Sequence, residues 1–141
     1  MRNTLAVPRA SRGFTILEIL IVFALIAGLM AFVGPRIFDA LSKTKSQEAK
    51  IRLMDLAQNI QYYRLDVGRY PSSLQDLLTQ PSGVDKWNGP YVKNPEYLKD
   101  AWGNDYRYTV PGQNKPFDLT SLGADGREGG EGENRDITNT Q

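Results

Sequence analysis

The 141-residue sequence contains no cysteine and no histidine. Without cysteine the fold cannot rest on disulfides, even in an oxidising compartment, and thiolate chemistry is excluded. Without histidine the commonest general base and the commonest transition-metal ligand are missing. An excess of one charge is lacking too. Lys and Arg number 17 against 16 Asp and Glu, a formal net charge of +1. No strong attraction to nucleic acid follows from that balance. The sequence has no internal repeat of solenoid type.

What the sequence does hold is one long apolar run, Phe14 to Gly34, carrying a single acid, Glu18. The run is long enough to cross a bilayer core as a helix. A carboxylate costs about 2.5–3.5 kcal/mol at the membrane centre and less toward the edge, so a residue kept there is a functional candidate. Before the run stands a leader, Met1 to Gly13, with Arg2, Arg9, Arg12 and no acid. That charge bias keeps the leader on the cytoplasmic side. A secretory signal carries its small-residue cleavage site after the apolar region. Here that region reads Gly34-Pro35-Arg36-Ile37-Phe38-Asp39, with no such site. The processing signal falls instead before the run, at Gly13-Phe14.

Arg12-Gly13-Phe14-Thr15-Ile16-Leu17-Glu18 resembles the class III signal of type IV pilins and pseudopilins, G-F-T-L-x-E. Ile16-Leu17 in place of Leu-Ile is a swap of similar residues. The resemblance implies that a prepilin peptidase cuts between Gly13 and Phe14 and that Phe14 becomes N-methylated. Cleavage would place an ammonium at Phe14, one helical turn from Glu18. Two isolated charges in lipid are costly, and a close pair offsets part of that cost. The pair could form within one chain or between neighbours. The resemblance favours a role for Glu18 in subunit addition, meeting the Phe14 amine of the adjacent subunit. A plain membrane anchor, with Glu18 reaching for the interface, is the simpler alternative.

Beyond the run the pattern stays helical. Ala49, Leu53, Leu56, Ile60, Tyr63 and Val67 recur at steps of four and three, an apolar stripe on one helical face. Glu48 and Arg52 stand at i, i+4 in the favourable order. Lys43, Lys45, Lys50 and Asp55 are expected to face water. Gly68 and Pro71 stop the helix. Pro35 bends it or ends its membrane half; the resemblance puts Pro35 where the family's helix kinks or partly melts inside a filament. From Thr15 to Val67 the helix would be about 80 Å long.

The remainder must cover the stripe. Ser72 or Ser73 caps a short helix, Leu74 to Leu78. Tyr106 to Val110 reads as a strand, Pro111 to Asn114 as a turn, and Phe117 to Leu122 as the returning strand. Trp87, Tyr91, Tyr97 and Trp102 lie in a loop rich in Gly and Pro and are expected to fill the core. The expected fold is α+β, with the long N-terminal helix packed on a small antiparallel sheet.

A second resemblance narrows the family. Gly68-Arg69-Tyr70-Pro71, Trp87-Asn88-Gly89-Pro90-Tyr91, Asp100-Ala101-Trp102-Gly103-Asn104-Asp105-Tyr106 and the segment Ser121 to Glu133 are similar to GRYP, W-x-GPY, DPWGNPY and SLGADG-x-x-GGEG. These elements, in that order, are those of the major pseudopilins of type II secretion systems. Ala101 and Asp105 depart from the family's prolines. The resemblance covers Arg12 to Ile137, and a pilin-like fold with a calcium-binding loop is implied.

Residues 123–136 hold Asp125, Glu128, Glu131, Glu133 and Asp136 against Arg127 and Arg135, a net charge of −3. Acids on a glycine-rich backbone suit a hard cation with oxygen ligands. The spacing is not that of an EF-hand. From the residues alone, a cation site and a solvated acidic tail are equally open. The resemblance implies calcium. It assigns Asp125 as a side-chain ligand, Leu122 with Ser121 as sources of carbonyls, and Asp136 as a second carboxylate. Glu133 and Asn134 fall where the family also offers oxygen ligands.

The organisation expected is a prepilin leader over 1–13, a membrane or filament-core helix over 14–35, and a periplasmic domain over 36–141. The resemblance implies a non-enzymatic structural subunit, single-pass in the bacterial inner membrane before assembly. It then stacks into a helical periplasmic filament that drives export of folded proteins. Its implied partners are copies of itself, minor pseudopilins, the prepilin peptidase, the assembly platform and the lipid bilayer. A pilin of a related adhesion, motility or DNA-uptake filament shares the N-terminal signal. A membrane-tethered calcium-dependent hydrolase is a further alternative, since paired carboxylates can do acid–base work without histidine.

Overall fold

The computed structural model describes residues 13–139. Most of the leader, residues 1–12, lies outside the described residues. One helix, α1 (Ile16–Val67), contains both the apolar run and the amphipathic stripe. Contacts divide the chain into two compact units, with the division after Phe38.

In the first unit α1 runs through Pro35. None of its large apolar side chains is buried. Phe14 is 85% exposed, Leu25 69% and Phe32 68%. Among the described residues nothing buries this segment. An all-round apolar helix without cover belongs in lipid or against other helices.

In the second unit Ala49, Leu53, Leu56, Ile60 and Tyr63 of α1 are buried, and Val67 is only partly so. Lys43, Lys50 and Asp55 face water, as expected. Lys45 is half-buried, because its Nζ donates to the Ala101 carbonyl at 3.2 Å. Gly68 ends the helix with φ +86°, its N–H donating to the Arg64 carbonyl. A left-handed residue there is nearly free only for glycine.

The sheet has three strands in the order β1-β2-β3: β1 (Arg107–Thr109), β2 (Asp118–Ser121) and β3 (Ile137–Thr138). Both pairings are antiparallel, with Tyr108 opposite Leu119 and Ser121 opposite Ile137. Both expected strands are present but shorter. The third, β3, was not anticipated, because two residues after an acidic tail carry no alternation to detect. The short helix is a 3₁₀ turn, Leu74–Leu77, with Ser73 as its N-cap. The Asp76 carboxylate accepts from the amides of Ser72 and Ser73. A second 3₁₀ turn, Pro95–Leu98, starts where Asn94 caps the Glu96 amide at 3.1 Å.

The α1 stripe packs with Leu77, Val92, Tyr106, Phe117, Leu119 and Ile137 in one cluster. Each fully buried large apolar side chain contributes about 1.5–3 kcal/mol relative to exposure. Trp87, Tyr91 and Trp102 pack on its edge, as expected of core filler. Tyr97 does not: it is half exposed. The W-x-G-P-Y element has a steric reason. A Cβ on Gly89 would lie 2.5 Å from the Trp87 ring, so only glycine lets the indole fold back. Trp87 Nε1 then donates to the Asp76 carbonyl at 2.8 Å.

Candidate functional site

At the start of α1 the residues of the processing signal are in place. Gly13 has open space around it, and Phe14 is exposed. Glu18 is bound to the start of its own helix. Its Oε2 accepts from the Thr15 amide at 2.8 Å and from Thr15 Oγ1 at 3.0 Å. In return the Glu18 amide donates to Thr15 Oγ1 at 3.2 Å. This is a capping box, which satisfies two amides that the first turn leaves unpaired. Thr15 was missed in reading the sequence, although T-x-x-E before an apolar run is its usual signature. The box holds the Glu18 carboxylate one residue from the Gly13-Phe14 bond.

In the second unit the candidate metal residues lie in the loop between β2 and β3. Its two sides are in close contact. The Ala124 amide donates to the Glu133 carbonyl at 2.9 Å. A Cβ on Gly123 (φ +69°) would sit 2.6 Å from that carbonyl and 2.7 Å from the Asn134 carbonyl carbon. The loop thus closes with Glu133 and Asn134 against Gly123. Asp136 faces the same loop: its Oδ2 accepts from the Gly129 amide at 3.0 Å. Asp125 is exposed, and its Oδ1 accepts from the Arg127 amide at 3.1 Å. Leu122 is half-buried beside Gly123. Among the described residues no three Asp or Glu side chains are gathered as a metal cluster. A cation here must take main-chain carbonyls as well as carboxylates. Ser121 Oγ is held between Asp100 and the Gly123 amide at the start of the loop.

One observation tests whether a cation fits. Asp136 Oδ1 is buried and has no hydrogen-bond partner among the described residues. A buried carboxylate oxygen without a partner is costly, and native structures rarely leave one so. The ligands that the loop offers, the carboxylates of Asp136 and Asp125 and the main-chain carbonyls, are all oxygens. That set fits calcium, which takes six to eight oxygen ligands.

The support for this loop comes from a residue that carried no assignment in the sequence. Asp100 is 2% exposed. Its Oδ1 accepts from the amides of Trp102 at 3.0 Å and Asn104 at 2.9 Å. Its Oδ2 accepts from Ser121 Oγ at 2.6 Å, and Ser121 Oγ accepts from the Gly123 amide at 3.3 Å. Asn104 Nδ2 donates to the Gly123 carbonyl at 2.8 Å. The D-x-W-G-N-x-Y element is therefore the buttress of the S-L-G element. An Asp with Gly-Asn three residues on, typical of a side-chain turn, was the available signal. On the outer side Arg107 of β1 pairs with Glu128. Burial, and then the Asp100 charge, push the Tyr106 hydroxyl well above the usual tyrosine range.

A long helix, apolar at its start and amphipathic beyond, with a three-stranded antiparallel sheet on its stripe, defines a pilin-like protein. The model of the family "Type II secretion system (T2SS), protein G" matches residues 36–140. The chain belongs to that family. It is 45% identical over 125 residues to the type II secretion system core protein G of Xanthomonas campestris pv. campestris, covering 89% of this chain and 87% of the relative. With the corresponding protein of Vibrio cholerae the identity is 38% over 137 residues, covering 93% and 92%. The crystal structure of the major pseudopilin from the type 2 secretion system of enterohaemorrhagic Escherichia coli matches with a TM-score of 0.60. Its identity is 29%, and the match covers 74% of this chain and 94% of that one.

Proposed function

We propose that this chain is a structural, non-enzymatic subunit of a type II secretion pseudopilus. It is held in the bacterial inner membrane by the apolar half of α1, with the leader cytoplasmic and residues 36–141 periplasmic. A prepilin peptidase removes the leader after Gly13 and methylates Phe14. The assembly platform then draws the subunit from the membrane, and copies stack with minor pseudopilins into a helical filament. Growth of that filament pushes folded proteins toward the outer membrane.

The observation that carries this reading is the uncovered apolar segment of α1. Every large apolar side chain from Phe14 to Phe32 is exposed in the single chain. Removing them from water needs lipid first and other helices later. Head-to-tail contacts between identical subunits do not close and so produce fibres. Family membership supports the secretion role over other filaments. In this reading Glu18 receives the Phe14 ammonium of the neighbour, which is supported by the capping box that keeps its carboxylate turned toward the helix start.

Calcium is the proposed ligand of the β2–β3 loop. Asp125 and Asp136 would supply carboxylates, Leu122 a carbonyl, and Glu133 and Asn134 further oxygens. When bound, it would offset the charge of the acids and tie the two sides of the loop. The bonds among Asp100, Asn104 and Gly123 that hold the start of the loop support this reading.

Intact mass and N-terminal sequencing of the protein from its own membranes test the proposal. A chain beginning at methylated Phe14 is expected. A chain that keeps residues 1–13 would make it a static anchor and end the assembly role.

A further inference from the structure

Beside α1, within the second unit, lies an open groove of about 550 Å³, a size common among ligand sites. One wall is α1 over residues 52–62, and the other is the segment 92–97. Each wall carries a tyrosine, Tyr62 48% exposed and Tyr97 49%. Neither ring belongs to the core cluster, so the fold does not use them. An exposed tyrosine offers a flat apolar face beside a polar hydroxyl.

The charged groups of the lining are of both signs and balance. Arg52 and Lys93 stand against Asp55 and Glu96, two charges each way. A cleft of one sign draws a ligand of the other, so this one favours an uncharged ligand. Asp55, Asn59, Lys93 and Glu96 make no side-chain hydrogen bond or ion pair among the described residues. Together they offer acceptors on the carboxylates, donors on the ammonium and both on the amide. One more hydroxyl is unused. Tyr106 is 6% exposed, and its hydroxyl is buried without a partner. The charges that act on it are those of Asp100, Arg52 and Asp55, and the last two line the groove.

We infer that this groove binds an oligosaccharide, the N-acetylated glycan strand of the cell wall. A sugar ring has a C–H face, which packs on a tyrosine ring, and a rim of hydroxyls. Each hydroxyl both donates and accepts, so hydroxyls satisfy an acid, an ammonium and an amide in turn without bringing a charge. The acetamido group matches the Asn59 amide, which pairs with it through one donor and one acceptor. An extended peptide fits less well. It is held through its backbone at strand edges, and both walls here are helical, α1 and the Pro95–Leu98 turn. The cell wall is the source because the pseudopilus reading, on which this inference rests for its setting, puts the domain in the periplasm. There the glycan is the extended, uncharged polymer that a growing filament passes.

The probe is the tetramer of N-acetylglucosamine, titrated by calorimetry into the full-length protein in a detergent without a sugar headgroup. Saturable binding is expected. Tyr97→Ala, which removes a stacking face, should weaken it by about tenfold, and Asn59→Ala by about threefold to tenfold. Neither side chain is in the core cluster, so both variants should melt with the parent. Lys86→Ala, exposed and outside the groove, should bind as the parent does. A blocked tetra-alanine peptide should bind at least about tenfold more weakly than the glycan. Absence of glycan binding, folded Tyr97→Ala and Asn59→Ala variants that bind as the parent does, or a peptide that binds as tightly, would each overturn the assignment. The pseudopilus reading would stand in those cases, because the mass of the N-terminus tests it separately. A chain that keeps residues 1–13 yet binds the tetramer would end that reading and keep the groove.

Discussion

Asp100→Ala is the sharpest test of how the C-terminal loop is held. The substitution removes a buried acceptor of three hydrogen bonds, from Trp102 N, Asn104 N and Ser121 Oγ. Hydrogen bonds to charged groups are worth about 1.5–3 kcal/mol each, but such losses do not add when one loop relaxes as a unit. Three donors left unpaired in a buried site, at about 1–3 kcal/mol each and less than additive, set the cost at about 3–5 kcal/mol. For a domain of this size each kcal/mol shifts Tm by about 4–8 °C, so the lower figure already implies a drop of about 12–24 °C. Asp100→Asn should be milder. Its one oxygen can keep the two amides, and Ser121 Oγ can turn to accept from the new Nδ2. Its expected cost is about 1–2 kcal/mol. The assay is thermal unfolding of the full-length protein in detergent, followed by tryptophan fluorescence. Both tryptophans, Trp87 and Trp102, lie in the second unit. An Ala variant melting within about 4 °C of the parent would refute the buttress, since that is less than 1 kcal/mol. An Asn variant as damaged as Ala would refute the stated division of hydrogen bonds.

Gly123→Ala should destabilise the domain by about 1–3 kcal/mol, because the new methyl meets the Glu133 carbonyl and the φ of +69° is strained for alanine; unfolding in urea measures it. Calcium should raise Tm in the unmodified chain, and Asp136→Asn or Asp125→Ala should remove most of that rise; equal melting in calcium and in chelator would count against the site. The Asp118 carboxyl is held below the ordinary carboxylate range, first by the Gln113 amide and then by Lys115. A depressed folded pKa stabilises above the unfolded value and is lost as pH falls through the folded one, so the acid limb below about pH 4 should flatten in Asp118→Asn. Glu18→Ala should insert normally and yield few filaments; normal filament numbers, counted by electron microscopy, would exclude a role in subunit addition.

Much of the fold was legible because its largest elements obey simple periods. The α1 stripe announces itself at steps of four and three, and five of its six expected residues are buried. The paired strands show through Tyr106 to Val110 and Phe117 to Leu122, although hydrogen bonding trims both. The third strand was not legible. Ile137–Thr138 is defined by its neighbour β2 and by Asn139, whose amide donates to the Leu119 carbonyl, and not by its own composition. Tyr97 was expected inside because aromatic residues usually are, yet the Pro95–Leu98 turn leaves it half exposed. In the loop the acids were obvious, but their buttress was not. Asp100 is separated from Ser121 by a whole hairpin, and only tertiary structure brings its carboxylate to that hydroxyl. Thr15 was overlooked for the opposite reason: its local role in the capping box was masked by the louder signal of Glu18.

The late position of β3 bears on when this domain can fold. During synthesis the α1 stripe emerges first, with Ala49 to Tyr63 bare. Leu119 and Ser121 follow, but β2 keeps one open edge until Ile137 and Thr138 pair with it. Ile137 is itself one of the core side chains that pack with the stripe. Contacts so distant in sequence form slowly, since their loops must close before they are rewarded. The domain therefore completes its fold only after nearly the whole chain has been made. A chain anchored by its first helix would carry its second half across the membrane unfolded, and close it on the far side.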